Sequence, residues 1–309
     1  MRAYLIICLL LNFIISFGCD SERDSLICRL PFDIIKNQII IKIQANLSDT
    51  LYFIFDTGNE NAHMDSTTAA KLNLKPLKFQ EVHCSGGESL IPVVVCDYKI
   101  GNLEINNIET TTGQLSNYSR IMKRRIDGII GQDIMKDHII RLNFDRKVLE
   151  IFNNKFIYKG MGEAHKIVSR GPTINATVTL QNEQIISGEF IIDSGSNSSL
   201  TLNSSYTDTS KLNELIGEYK TYNSYDMCGN AQVEFEGKAQ NLWIGTSQTN
   251  MIPITLSMVK TGVLADKKYA GLIGTPVLRC FTIILDSYNN IMYFEPNEAL
   301  KDFSKNTKH

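Results

Sequence analysis

No long block of like charge runs through this chain. Its 31 Lys and Arg against 33 Asp and Glu leave a formal net charge of -2, a balance that gives no electrostatic reason to expect a nucleic-acid partner. The one basic cluster, Lys123-Arg124-Arg125, reads as a solvated loop, with a processing or docking site as the alternative. Metal-ligand patterns are missing as well. There is no Cys-x-x-Cys, and the five histidines (His63, His83, His138, His165 and His309) are scattered without ligand spacing, so neither a metal nor a cofactor is expected. Nor is there a run long enough for a membrane-spanning helix: the apolar stretch from Ala3 to Phe17 has about 15 residues, where roughly 20 are needed. Helical signals are short throughout. A chain of 309 residues with this character is expected to be mainly β and to have room for two domains, each with its own core.

The N-terminus has a pattern of its own. Met1-Arg2 places a single positive charge before the apolar run, and Gly18-Cys19-Asp20 ends it. This is the form of a secretory signal, expected to cover residues 1–18 and to be followed by a linker over 19–29. The ending Ser16-Phe17-Gly18-Cys19 resembles a bacterial lipoprotein signal, in which a small residue precedes a cysteine that is lipidated after cleavage; Phe17 is bulky for that pattern. The expectation is export with lipidation at Cys19, to the periplasm or to the outer membrane or cell surface, with unlipidated secretion as the alternative. Any membrane contact would then run through the lipid alone. Cys28, Cys84, Cys96, Cys228 and Cys280 are left, an odd number, so at least one thiol stays unpaired and the fold is not a disulfide scaffold. Cys84 has two candidate partners, Cys96 and Cys228, or is a thiol.

The chain repeats itself. FIFDTGNENA at 53–62 has a second version in FIIDSGSNSS at 190–199, with Asp56 and Asp193 137 residues apart. Each follows an alternating apolar run and turn residues, IIIKIQANLSDT and INATVTLQNEQ, the pattern of two strands of which the second delivers the aspartate. Downstream, Ile129-Ile130-Gly131 is echoed by Leu272-Ile273-Gly274, and IIRLNFDRKVLEIF by TIILDSYNNIMYFE. The repeat is a whole domain, expected over 30–155 and again over 168–298, with a tail at 299–309.

Three apolar residues that drive an aspartate to the end of a buried strand desolvate its carboxylate, which is costly unless a partner or a reaction uses it. A second aspartate, Asp193, is delivered in the same way. Two carboxylates about 3 Å apart cannot both ionise, so one acts as base toward a water between them and the other, protonated, as acid toward a carbonyl. The repeated Asp-hydroxyl-Gly and apolar-apolar-Gly segments resemble the aspartic peptidases, and most closely the bacterial retropepsin-like proteins, here as two tandem copies.

The resemblance implies two acid-protease β-barrel lobes related by a pseudo-twofold, with a cleft between them and no cofactor. It makes Asp56 and Asp193 the catalytic pair of an endopeptidase acting as a monomer on a peptide or protein substrate. Thr57 and Ser194 would hold the two loops in register, Gly58 and Gly195 would let the chain turn and bring N–H groups to the carboxylates, and Gly131 and Gly274 would pack beneath them. Ser85, Gly86 and Gly87 in one lobe, and Cys228 and Gly229 in the other, take the place of flaps. The chain departs from the family pattern after each loop, where Asn59-Glu60 and Ser196-Asn197 stand. An amide replaces a hydroxyl at 59, and Glu60 is expected to push the pair's titration upward. Lobe one lacks a flap tyrosine. A serine-nucleophile reading of Asp193-Ser194-Gly195 lacks both the preceding Gly and a partnered histidine. The other alternative is a catalytically weak or inactive two-lobe lipoprotein of the cell envelope that binds peptides or proteins without cutting them.

Overall fold

Apolar alternation draws most of the chain into strands. Gln38–Ala45 buries Ile39, Ile41 and Ile43 on one face and Ile40 on the other, leaving only Lys42 exposed, so it is a central strand covered on both sides. The computed structural model describes residues 21–84, 87–168, 171–225 and 231–305. Among them the fold is mainly β, arranged in three sheets.

The first lobe is an eight-stranded sheet in the order Asp33–Ile35, Gln38–Ala45, Leu51–Phe55, Gly128–Ile130, His63–Asp65, Leu103–Gly113, Gly87–Ile100, Lys78–Cys84. Gln38–Ala45 also pairs with Gly87–Ile100, which curls the sheet back on itself. The second lobe is a nine-stranded sheet: Lys220–Tyr225, Ala231–Lys238, Pro253–Ser257, Leu200–Leu202, Gly271–Gly274, Ile185–Asp193, Thr173–Thr179, Asn241–Ile244, Ser247–Asn250. In both, the strand that ends at the aspartate lies parallel to the apolar-Gly strand: Phe53 to Phe55 against Gly128 to Ile130, and Phe190 to Asp193 against Gly271 to Gly274.

A third sheet of six strands joins the lobes, three from each half, in the order Leu26–Pro31, Val148–Phe152, Ile139–Asn143, Phe281–Asp286, Ile291–Pro296, Glu163–Lys166. Its middle pairing is antiparallel, Ile139 against Asp286 through Asn143 against Thr282. The closing strand pairs of the two halves therefore leave their lobes and pair with each other. One apolar cluster runs from Phe53 and Ile130 through Ile140 and Ile283 to Phe190 and Leu200.

Segments expected as connectors carry structure. Part of the presumed linker over 19–29 forms the helix Ser21–Ser25 and the start of Leu26–Pro31, because Cys28 and Leu30 alternate into the core. The join between the lobes contributes Glu163–Lys166, and the tail begins within the helix Glu298–Lys305. The helices are short, as expected: Ser66–Lys71 starts where Asp65 accepts from the N–H groups of Thr67 and Thr68, an N-cap, and Leu212–Ile216 is another. The basic cluster is tied down by neighbours: Arg124 pairs with Asp33 and stacks on Tyr52, and Arg125 pairs with buried Asp127. Cys28, Cys96 and Cys280 are buried free thiols, which removes Cys96 as a partner for Cys84; Cys228 lies outside the described residues.

Glu150 anchors one edge of the joining sheet. Its buried carboxylate accepts from Arg29 Nε at 2.7 Å and Arg141 Nε at 2.5 Å. Arg141 also bonds Glu22 at 2.6 Å and lies over the ring of Phe152. Removing the carboxylate leaves Arg141 in a largely buried place without its counter-charge, a costly arrangement. Half of the network is exposed, which moderates the effect. Glu150→Ala is expected to lower stability by roughly 2 kcal/mol, read from urea denaturation midpoints at constant m.

Candidate active site

Both aspartates sit where a strand runs out into a tight loop. The Asp56 N–H donates to Ile130 O at 3.0 Å, and the loop closes with Asn59 N to Asp56 O at 3.2 Å. The second loop closes in the same way, Ser196 N to Asp193 O at 3.2 Å. Each carboxylate takes the N–H two residues on, from Gly58 to Asp56 Oδ1 and from Gly195 to Asp193 Oδ1, both at 2.8 Å. Such turns suit an aspartate, and here they fix the direction in which it points. The two carboxylates flank one point: a Cβ built on Gly58 would lie 3.2 Å from Asp193 Oδ1 and 3.3 Å from Asp56 Oδ1.

The loops are locked together by an exchange of hydroxyls. Thr57 Oγ1 accepts from Ser194 N at 3.0 Å and donates to Ile192 O at 2.6 Å. Ser194 Oγ accepts from Thr57 N at 3.0 Å and donates to Phe55 O at 2.8 Å. Both side chains are fully buried, so each bond replaces one that water cannot supply.

Glycine is needed here for space rather than for unusual backbone. Neither Gly58 nor Gly195 has a positive φ. A Cβ on Gly195 would stand 2.2 Å from Asp56 Cγ, and one on Gly131 would stand 1.7 Å from Asp56 O. Gly274 meets Ser198 O at 2.0 Å in the same way. The apolar-Gly strands thus press directly against the aspartate loops. Just beyond them stand two residues that sequence inspection passed over. Gln132 N donates to Asn59 O and Thr275 N to Ser196 O, both at 3.1 Å, while Gln132 Nε2 and Thr275 Oγ1 reach the carbonyls of Thr57 and Ser194. Their place in the repeat, immediately after each glycine, was the available signal. Gln38, which bonds Gly195 O across the lobes at 2.7 Å, had none.

Electrostatically the pair behaves as one unit. The Asp56 carboxyl is held well above the usual carboxylate range by burial, then by the charge of Asp193 and the hydrogen bond with it. Asp193 is also raised by burial, but the hydrogen bond from Asp56 and the N–H groups of Gly195 and Ser196 pull against the rise. Burial therefore favours a proton shared by the pair. Glu60, expected to drive this shift, is exposed and is not among its causes. The Asn59 amide is turned away, donating to Asn61 O at 2.5 Å, and only its backbone N–H serves Asp56. Gly87 opens the strand Gly87–Ile100. The other flap candidates, Ser85, Gly86, Cys228 and Gly229, lie outside the described residues, as does Cys19.

Residues 41–134 match the family model described as aspartyl protease. The chain carries a retropepsin-like aspartic peptidase domain. That match covers the first aspartate loop and Gly131 and stops before the second lobe. No curated protein matches the chain.

The hydroxyl exchange and the shared proton each generate an expectation. Thr57→Val leaves Ser194 N–H and Ile192 O buried without partners and is expected to cost about 2–3 kcal/mol, with Thr57→Ser recovering most of it in urea denaturation. Because the folded Asp56 holds its proton above the unfolded value, its contribution to stability falls as pH rises past about 4. Asp56→Asn is therefore expected to raise the melting temperature at pH 7 and to lose that advantage near pH 3.

Proposed function

We propose that this chain is an aspartic endopeptidase whose own two lobes supply the catalytic pair. The observation that carries the reading is the meeting of Asp56 and Asp193 in hydrogen-bond contact within one chain. The aspartyl protease match over residues 41–134 supports it.

In this reading Asp193 is the general base toward a water placed between the carboxyl groups, and Asp56, carrying the shared proton, donates it to the carbonyl oxygen of the scissile peptide. The water oxygen attacks the carbonyl carbon while its proton passes to Asp193, giving a neutral gem-diol; Asp193 then gives that proton to the leaving nitrogen while the ionised Asp56 takes one back from a gem-diol hydroxyl, and the C–N bond breaks to leave a carboxylic acid, an amine and the pair restored. The hydroxyl exchange through Thr57 and Ser194 holds the acid and base at fixed separation, so little reorganisation is needed as the proton moves. The reading extends to place. The apolar leader and Cys19 support export as a lipoprotein of the periplasm, outer membrane or cell surface, or secretion without the lipid, and the intramolecular pair supports action as a monomer.

Asp56→Asn and Asp193→Asn are each expected to reduce peptide cleavage by at least about a thousandfold while the far-UV spectrum and cooperative melting persist. The assay is a peptide-library digest between pH 3 and 8, with and without a statine-type inhibitor. Turnover that survives either substitution would refute the assignment.

A further inference from the structure

The two aspartates stand beside walls of different chemistry. In the second lobe, strand register carries the aspartate-bearing face sideways: Ile191 lies beside Leu272, Leu272 beside Thr201, Thr201 beside Thr255, and Thr255 beside Glu236. Side chains two apart on a strand share a face, so Asp193 goes with Ile191, and Glu234 with Glu236. Glu234 thus lies on the face that bears Asp193, on the hairpin of Lys220–Tyr225 and Ala231–Lys238. The opposite side of that hairpin is exposed at Thr221, Asn223 and Val233, whereas Tyr222 and Ser224 are half-covered and Glu234 is buried. These last three look inward.

The first lobe repeats the construction with other residues. Ile54 lies beside Ile129, Ile129 beside His63, His63 beside Thr111, and Thr111 beside Val93. Asp56 follows Ile54 by two, and Ile91 precedes Val93 by two. Where the first lobe puts Ile91, the second puts Glu234.

Burying a carboxylate costs free energy that an apolar residue would not incur, and no ion pair reaches Glu234 among the described residues. Burial pushes its carboxyl up, the hydroxyls of Tyr222 and Ser224 bond it and pull against the rise, and the like charge of Glu236 adds to it. Lys220 stands opposite Glu236 across the hairpin, two pairs further from the tip than Glu234. Among the described residues this is an oriented carboxyl group without a counter-charge, on the aspartate side of the sheet and unused by the hydrolytic step.

We infer that Glu234 is a specificity-determining residue that selects a lysine or arginine side chain where the peptide runs along the second lobe, while Ile91 offers only apolar contact along the first. The inference rests on the peptide-cleaving reading and names a substrate class for it: peptides carrying a basic residue on one side of the scissile bond.

The test compares matched peptides that differ only in Lys, norleucine or Glu at one position, scanned along the substrate. Wild-type protein is expected to show a kcat/KM ratio of Lys to norleucine of about ten or more at one position. Glu234→Gln should bring that ratio to near one, and Glu234→Lys should turn the preference toward Glu, with thermal melts reporting folding. Absence of a basic preference at every position in the wild type, or a ratio unchanged in Glu234→Gln, overturns the inference whether or not Glu234→Lys folds. If the wild type cuts none of the peptides, cleavage itself fails, and the same peptides are compared by binding affinity. A preference for Lys that Glu234→Gln abolishes then sustains the role of Glu234, and equal affinities overturn it.

Discussion

The structure turns on two hydroxyls that serve each other's strands. Thr57 and Ser194 each accept from the partner's N–H and donate to the carbonyl of the residue just before the partner's aspartate. In a fully buried place such bonds are hard to replace. Their geometry fixes the separation of the lobes at the one point where separation matters. The carboxylates follow passively: they are carried by loops whose bases are tied together, and the N–H groups of Gly58 and Gly195 set their direction.

From that constraint the electrostatics follow. Among the described residues no ion pair reaches either aspartate, so the relief available is to share a proton. The packing around the pair is uneven. A methyl group on Gly195 would overlap Asp56, whereas one on Gly58 would stand 3.1 Å from Asp193 Cγ. The loop that follows Asp193 is pressed against Asp56 more closely than the reverse, so the two halves, though similar in sequence, give their aspartates different surroundings.

Much of this was legible in the sequence because repetition converts weak signals into strong ones. Asp-Thr-Gly alone suggests a turn; a second copy behind the same apolar strand, followed by the same apolar-Gly strand, defines a domain and a pair. Three things were not readable. The joining sheet arises because Ile139–Asn143 and Phe281–Asp286 are both apolar strands, and nothing local says that they pair with each other rather than inside their lobes. Glu60 looked influential from its nearness in sequence, but it points into solvent, where its charge is screened. Gln38 works across the lobes, and no periodicity marks such a contact.

The joining sheet has a consequence for how the molecule comes apart. Its central seam consists of ordinary backbone bonds between halves that are far apart in sequence, and one apolar cluster passes through it from lobe to lobe. Neither half owns a complete set of neighbours for its closing strands. Opening one lobe would expose the seam and strip cover from the other, so the two would melt as a single cooperative unit. An enzyme assembled from two similar lobes would then have no half-folded state in which one aspartate waits, buried and charged, for the other.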